Sequence, residues 1–415
     1  MYHLEQIDAF EVLDSRGLPT VMCQATLSGG QVGHAIVPSG ASTGSREVCE
    51  LRDGGKRHHG KGVLIAIEQV RGLIDQLVID PEGTPEQWDQ ALIGQDHLPG
   101  NVTLALSMAA WRAVAKCQQQ PLYQTFIKQE NYVLPIPFLN ILNGGAHAAN
   151  AIAIQEFMIV PHGFDTFNQA MQCGAECYQT LKSLLIEKGH STLVGDEGGF
   201  APNIANEQLV MDLILMAIEQ SGYRVGDQVS LALDIAANEL VNDEGRYDLG
   251  YAQFDLDQWC EKIQYWCSHY PIISIEDPIH EADWPGWSSL TAALADWCQI
   301  VGDDLFATQS SFLMQGIEQK AGSAILIKPN QVGTVTGAIE TIQLARQNNF
   351  PTMVSHRSGD SEDSFIADLA VGMKASQVKF GAPCRGERTA KYNRLLMIAH
   401  ELKDQAGFAS INNGS

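Results

Sequence analysis

The chain has 415 residues, 45% hydrophobic and 18% charged, the make-up of a soluble globular protein too long for one small core. Its net charge of −23 argues against a nucleic-acid partner, because phosphate backbones select an excess of Lys and Arg. The start, MYHLEQIDAFEVLDSRG, lacks a basic stretch followed by an apolar one. No run reaches membrane-span length, and nine scattered cysteines read as reduced thiols, so a cytoplasmic protein is expected.

Residues 1 to about 40 read as strands joined by turns. VMCQATL alternates, with Val21, Cys23, Ala25 and Leu27 on one face and Met22, Gln24 and Thr26 on the other. SGG at 28–30 reads as a hairpin turn into QVGHAIVP. From about 62 to 127 the pattern is helical, with a helix start at Thr84 before Glu86 and Gln87. PSGASTG at 38–44 reads as a flexible loop, a candidate lid. The polar stretch KQENY at 128–132, followed by Pro135 and Pro137, marks a boundary. The expected domains are therefore residues 1–130, α+β, and 131–415. In CGAEC, Cys173 and Cys177 lie one helical turn apart and read as buried thiols rather than metal ligands. The tail GFASINNGS is small and polar and reads as loose.

Beyond the boundary, six short apolar runs each end in a side chain that can carry charge. They are VSLALD to Asp234, PIISIED to Glu276, QIVGDD to Asp303, SAILIK to Lys328, PTMVSH to His356 and SQVKF through Lys379. Intervals of 42, 27, 25, 28 and 23 residues leave room for a crossover helix each time. That rhythm predicts an α/β fold with a parallel β/α barrel, whose chemistry gathers at the C-terminal ends of the strands.

Three carboxylates, Asp234, Glu276 and Asp303, would repel one another on one mouth unless a cation joined them. An all-oxygen set suits Mg²⁺ better than Zn²⁺. Singly, each would read as a helix cap or a lysine partner. Lys328 and Lys379, desolvated at strand ends, are expected to have lowered pKa values and to offer a base. His356, Arg357 and Ser358 form a phosphate or carboxylate clamp, with a rim salt bridge as the plainer reading of the arginine. Glu197 in VGDEGGFAPN, if buried, is expected to have a raised pKa and to act as a general acid. His147 and Glu156 stand in a second acidic loop, GGAHAANAIAIQEF.

Together these stretches resemble the enolase family, the phosphopyruvate hydratases of glycolysis. The resemblance rests on DSRG-PT, SGASTG, ELRDG, GKGV, QEFM, VGDEGGFAPN, SIEDP, VGDDL, KPNQ-GT, SHRSG-x-x-ED-x-FIADLAVG, GAP-R-x-ER and AKYN, in family order over nearly the whole chain. It implies a small α+β N-terminal domain and a β/α barrel whose first units are irregular. It implies reversible dehydration of 2-phosphoglycerate to phosphoenolpyruvate, with Mg²⁺ on Asp234, Glu276 and Asp303 and a second Mg²⁺ helped by Ser39. Lys328 would be the base and Glu197 the acid, with Glu156 beside it. His147, Gln155, His356, Arg357, Ser358 and Lys379 would bind substrate. Two alternatives share parts of this set: another lyase or isomerase of the superfamily, and a non-catalytic protein on the same scaffold.

The chain departs from the family pattern at Leu18, Asn238, Asp360, Cys384 and Gly386, none of them a matched catalytic or metal position. A further departure concerns pairing of subunits. The resemblance implies a homodimer joined through reciprocal Arg–Glu pairs, and at the matching positions this chain has Phe10, Met22, Met397 and His400. An apolar variant of that contact is expected.

Overall fold

The computed structural model describes residues 1–411 apart from 42, 43, 96, 128, 130, 149 and 205, with residue 404 described by its backbone alone. Parts of the lid and boundary readings fall on 42, 43, 128 and 130, outside the described residues.

The chain opens with an antiparallel sheet of β1 (Tyr2–Leu13), β2 (Pro19–Leu27) and β3 (Val32–Ile36), in the order β3-β2-β1-β4. The short edge strand β4 (Glu82–Gly83) carried no readable pattern. Helices α1 (Leu64–Gly72), α2 (Pro85–Ile93) and α3 (Gly100–Cys117) accompany it. The alternation in β2 holds: Val21, Cys23 and Ala25 are fully buried while Met22, Gln24 and Thr26 are not. Helix α3 lies so close to the sheet that a Cβ on Gly33 would stand 1.9 Å from the Ala109 carbonyl oxygen, so only glycine fits there. Thr84 begins α2 through a capping box with Gln87, and Pro85 follows at the first helical position.

Next come β5 (Tyr132–Leu134), β6 (Ile136–Asn143), β7 (Glu156–Pro161), α4 (Phe167–Glu187), α5 (Glu207–Gln220) and β8 (Val229–Asp234). A small insertion holds α6 (Ala237–Leu240) and the hairpin β9 (Tyr247–Asp248) with β10 (Gln253–Phe254). Regular alternation then runs α7 (Leu256–His269), β11 (Ile272–Glu276), α8 (Trp284–Leu294), β12 (Gln299–Gly302), α9 (Ser310–Gln319) and β13 (Ala324–Ile327). It ends with α10 (Pro329–Val332), α11 (Val335–Gln347), β14 (Thr352–Ser355), α12 (Phe365–Gly372), β15 (Gln377–Lys379), α13 (Gly386–Leu402) and β16 (Ala406–Phe408).

Eight of these strands close a barrel in the order β11-β12-β13-β14-β15-β6-β7-β8. The six strands read from the sequence, β8 and β11 to β15, are parallel as expected, and the irregularity implied for the first units is β7, which runs antiparallel to both β6 and β8. The link from β6 to β7 is a loop of about a dozen residues without a crossover helix, so β7 returns against its neighbour. The expectation of a loose tail is corrected for its described part. Strand β16 pairs with β5, and Phe408, Ala409 and Ile411 pack on the apolar floor formed by Ile136, Phe138, Val301 and Leu326. Cys173 and Cys177 are buried in α4 with sulfurs 3.9 Å apart, and all nine cysteines are free thiols. Among the described residues no helix is long and apolar enough to cross a membrane.

Candidate active site

Sheet register brings the acids together. Glu156 lies opposite Asp234, and Asp234 lies opposite Glu276, a single row across β7, β8 and β11. Because β7 is reversed, Glu156 reaches this mouth from the start of its strand, while Asp234 and Glu276 end theirs. Asp303, Lys328 and His356 each follow directly on β12, β13 and β14. A cavity of about 30 Å³ lies at this mouth. Of the predicted site residues all line it except Glu276 and Ser39.

Lys379 stands at the centre of the row. Its Nζ is 3.0 Å from Asp234, 2.8 Å from Glu276 and 3.4 Å from Glu156. Burial alone would lower this ammonium, but three acids outweigh it and hold the pKa well above the usual lysine range. One cation does not satisfy three carboxylates. Burial, then Asp234, pushes the Glu276 carboxyl well up, and burial, then Glu197, does the same to Glu156. Lys328 pairs with Asp303, which also accepts from Gln331 Nε2 at 2.8 Å. Burial favours the neutral amine of Lys328, yet the acids around it, Asp303 first and then Glu276, together outweigh this and raise its pKa. The lowered lysines expected from desolvation are therefore corrected in this state: each is paired with carboxylates at the strand ends, the plainer reading of those acids.

The same correction applies to Glu197. Burial pushes its carboxyl up as expected, but His147, His356 and Arg388 together hold it well below the ordinary range. Glu197 Oε2 accepts from Asn140 Nδ2 at 2.9 Å and lies 3.6 Å from His147 Nδ1 and 3.3 Å from His356 Nε2. Burial lowers the His356 pKa to about 4. Arg388 Nη1 stands 2.6 Å from its Nδ1, so that atom is the acceptor and Nε2 carries the hydrogen towards Glu197.

On the clamp side, Arg357 is held by Glu47 in two hydrogen bonds of 2.7 and 3.0 Å. Ser358 Oγ accepts from the Ala41 N–H at 2.6 Å, and Gln155 Nε2 donates to Asp234 at 3.3 Å. Ser39 is not brought to the carboxylates. Its Oγ donates to Glu50 and accepts from Arg52 in a neighbouring cavity.

Several residues of the site were not picked out from the sequence. Asp277, in a left-handed conformation, accepts the backbone N–H groups of Asp303 and Asp304 at 2.9 and 2.8 Å and so orients the end of β12. Its signal was the second acid of SIEDP. Arg388, buried, donates to the Arg357 and Ser358 carbonyl oxygens and ties the clamp segment to α13. Asn140 and Glu47 had no signal beyond residue type.

The donor set fits a hard cation. Asp234, Glu276, Asp303, Glu156 and Glu197 crowd against Lys328 and Lys379, and a buried Glu156 oxygen, Oε2, has no hydrogen-bond partner among the described residues. Two tighter groups of possible ligand atoms also occur, His147 with Glu156 and Glu197, and Asp277 with Asp303 and Asp304.

Family models match the chain along most of its length: "Enolase, N-terminal domain" over residues 4–126 and "Enolase, C-terminal TIM barrel domain" over 131–415. The chain belongs to the enolase family. It is 49% identical over 411 residues to an enolase of a Nitratiruptor species, covering 97% of each chain. It is 48% identical over 414 residues to an enolase of Helicobacter pylori, again covering 97% of each.

The departures from the enolase pattern can now be placed. Asp360 accepts from Lys391 Nζ at 2.8 Å and from the Arg357 N–H at 3.2 Å, so it supports the clamp. Asn238 donates to Asp304 at 2.8 Å and accepts from the Glu281 N–H at 2.9 Å. The Leu18 N–H closes the turn onto Asp14. Nothing lies within reach of a Cβ on Gly386, and the structure gives no reason for that glycine.

Proposed function

We propose that this enolase interconverts 2-phosphoglycerate and phosphoenolpyruvate with Mg²⁺, two ions per site, in a barrel domain of residues 131–415 covered by an N-terminal domain of residues 1–130. The observation that carries the reading is the single cavity onto which Lys328, Glu197, Asp303, Asp234 and Arg357 all open. Asp234, Glu276 and Asp303 would hold the first ion, and Ser39 would turn from Glu50 to help hold the second. Bound divalent ions supply charge that stabilises an enolate formed next to the substrate carboxylate.

The chain's own residues divide the remaining work. Lys328 takes the C2 proton, which requires release from its pairing with Asp303. Glu197 delivers a proton to the leaving hydroxyl, which requires that it first take one up against His147, His356 and Arg388, and Glu156, whose carboxyl is pushed up, stands beside it as a proton-holding partner. Arg357 and Ser358 hold the phosphate. His147, Gln155, His356 and Lys379 orient the acid end. A coupled assay with purified protein tests this: activity is expected at millimolar Mg²⁺ and its loss on chelation. Folded protein that stays inactive with Mg²⁺ would favour a non-catalytic role.

The same reading includes a cytoplasmic homodimer with no nucleic-acid partner and an apolar subunit contact. Phe10 lies opposite Met22, and Met22 opposite Ile36, a row on the sheet face turned away from the core. Met397, 56% exposed, and His400 lie about one turn apart on α13. Exposed ion pairs contribute about 0–1 kcal/mol, while a buried Met contributes about 1.5–3. Sedimentation is therefore expected to show a dimer that persists from low to high salt and that Met22→Asp splits.

A further inference from the structure

Residues 45–47 dock the N-terminal loop on the barrel mouth through three consecutive side chains. Ser45 Oγ donates to Glu281 at 2.6 Å. Arg46 donates to the Leu305 and Glu281 carbonyl oxygens, and its guanidinium lies 5.2 Å from the Trp284 ring and 4.4 Å from that of Phe312. Glu47 reaches deeper, onto both terminal nitrogens of Arg357. The side chains of this pair are only 7% and 4% exposed.

Two cavities meet at this ion pair. Glu47 lines an outer one of about 420 Å³, whose cations are Arg16, Arg52 and Lys61. Arg357 lines the inner one of about 30 Å³. Asn330 spans the junction, since it lines the outer cavity and accepts from Arg357 at 3.2 Å. The inner cavity has room for no more than a few waters. A phosphorylated acid therefore has to displace something to reach the guanidinium, and Glu47 already holds two of its donors.

We propose that Glu47 is an internal competitor for Arg357: its carboxylate occupies the guanidinium until an incoming phosphate takes its place, and so it sets the affinity of the site for its substrate. The proposal rests on the reading that Arg357 binds phosphate. A tethered carboxylate is present at high effective concentration, so weak anions from solution lose to it. A phosphate brings more charge and three acceptor oxygens, and so it wins. Displaced Glu47 has a place to go, because it already lines the outer cavity, where Lys61 stands beside an Arg52 engaged with Glu50.

An internal competitor multiplies the dissociation constant of every ligand for the same group by one common factor. The test is calorimetric titration of Mg²⁺-loaded protein with inorganic phosphate and, separately, with sulfate. Glu47→Gln is expected to tighten both by a shared factor of about ten or more, consistent with loss of a charged hydrogen-bonded pair. The KM for 2-phosphoglycerate should fall alongside, with kcat no higher than wild type. Glu47→Asp keeps the charge with a shorter reach and should tighten both anions less than Glu47→Gln does. Unchanged or weaker phosphate binding in both variants overturns the exchange. So does a sulfate gain more than about threefold larger than the phosphate gain, because Glu47 would then stay beside the ligand and repel the more highly charged anion more strongly. Arg357→Gln should abolish phosphate binding in either background. If it does not, the phosphate-binding role of Arg357 fails first, an outcome distinct from failure of the exchange alone.

Discussion

The two ends of the barrel are built from the same eight strands and follow opposite rules. At the N-terminal floor, Gln299 and Gln377 exchange amide hydrogen bonds of 2.9 Å, and Gln299 also donates to Ser274. Above them Phe138, Val301, Leu326 and Met353 pack into a buried apolar layer that the tail covers. At the C-terminal mouth, three carboxylates share one ammonium, and two of those acids are pushed towards their protonated forms. A folded chain retains such a mouth at a cost in stability, because unpaired buried charge is among the costlier arrangements a protein can hold. The floor and the helix layer supply the stability that the mouth uses up.

The division predicts that variants at the two ends fail in different ways. Lys328→Ala should show the largest effect, a loss of about 10²- to 10⁴-fold in turnover, with exchange of the substrate's C2 proton lost as well. Its thermal stability should fall as well, since buried Asp303 loses its ion partner and keeps the neutral Gln331, but the folded protein should remain inactive. Glu197→Gln should also impair dehydration but retain more of the exchange. Equal loss of exchange in both variants would show that the base and acid are coupled or misassigned.

Leu326→Ala, in the barrel interior, should do the reverse. Truncating a fully buried leucine costs about 2–5 kcal/mol, read as a shift of the denaturation midpoint. The folded fraction should keep its kcat. If turnover per folded molecule collapsed instead, interior packing and mouth would be one unit, and the contrast between the ends would be lost.

Much of this contrast was legible in the sequence, but not evenly. The six apolar runs ending in Asp234, Glu276, Asp303, Lys328, His356 and Lys379 announced both strands and mouth, because buried strands are continuous apolar stretches and their ends are where charge can begin. The reversed β7 was not legible from residues 156–161, since a strand buried on both faces shows no trace of its direction. The protonation states were misjudged for a related reason. Burial can be guessed from an apolar run, but the charged partners that together outweigh burial come from elsewhere in the chain, as Asp303 and Glu276 do for Lys328 and His147, His356 and Arg388 for Glu197. Glu47 and Arg357 are 310 residues apart, and only the folded chain joins them.

The smallest predicted effect concerns a buried acid at neither end. Asp89 on α2 accepts from the Thr336 N–H at 2.9 Å, the Thr336 hydroxyl at 2.7 Å and Trp111 Nε1 at 3.3 Å, so it fastens the front helices to α11. The groups bonded to it are all neutral. Burial therefore prevails over these hydrogen bonds and pushes its carboxyl up to about 6. A raised folded-state pKa means that the folded chain keeps a proton which the unfolded chain releases near pH 4. The stabilising contribution is thus complete below about pH 4 and is lost as pH rises through about 6, a change on the order of 2–3 kcal/mol. Asp89→Asn cannot titrate, so its stability relative to wild type should improve by about that amount between pH 4 and pH 7, with activity unchanged. Denaturant titrations of both proteins across that range decide the matter. Parallel stability curves would mean that Asp89 is ionised and compensated like Asp303, and the neutral-donor cradle would no longer set it apart from the acids of the mouth.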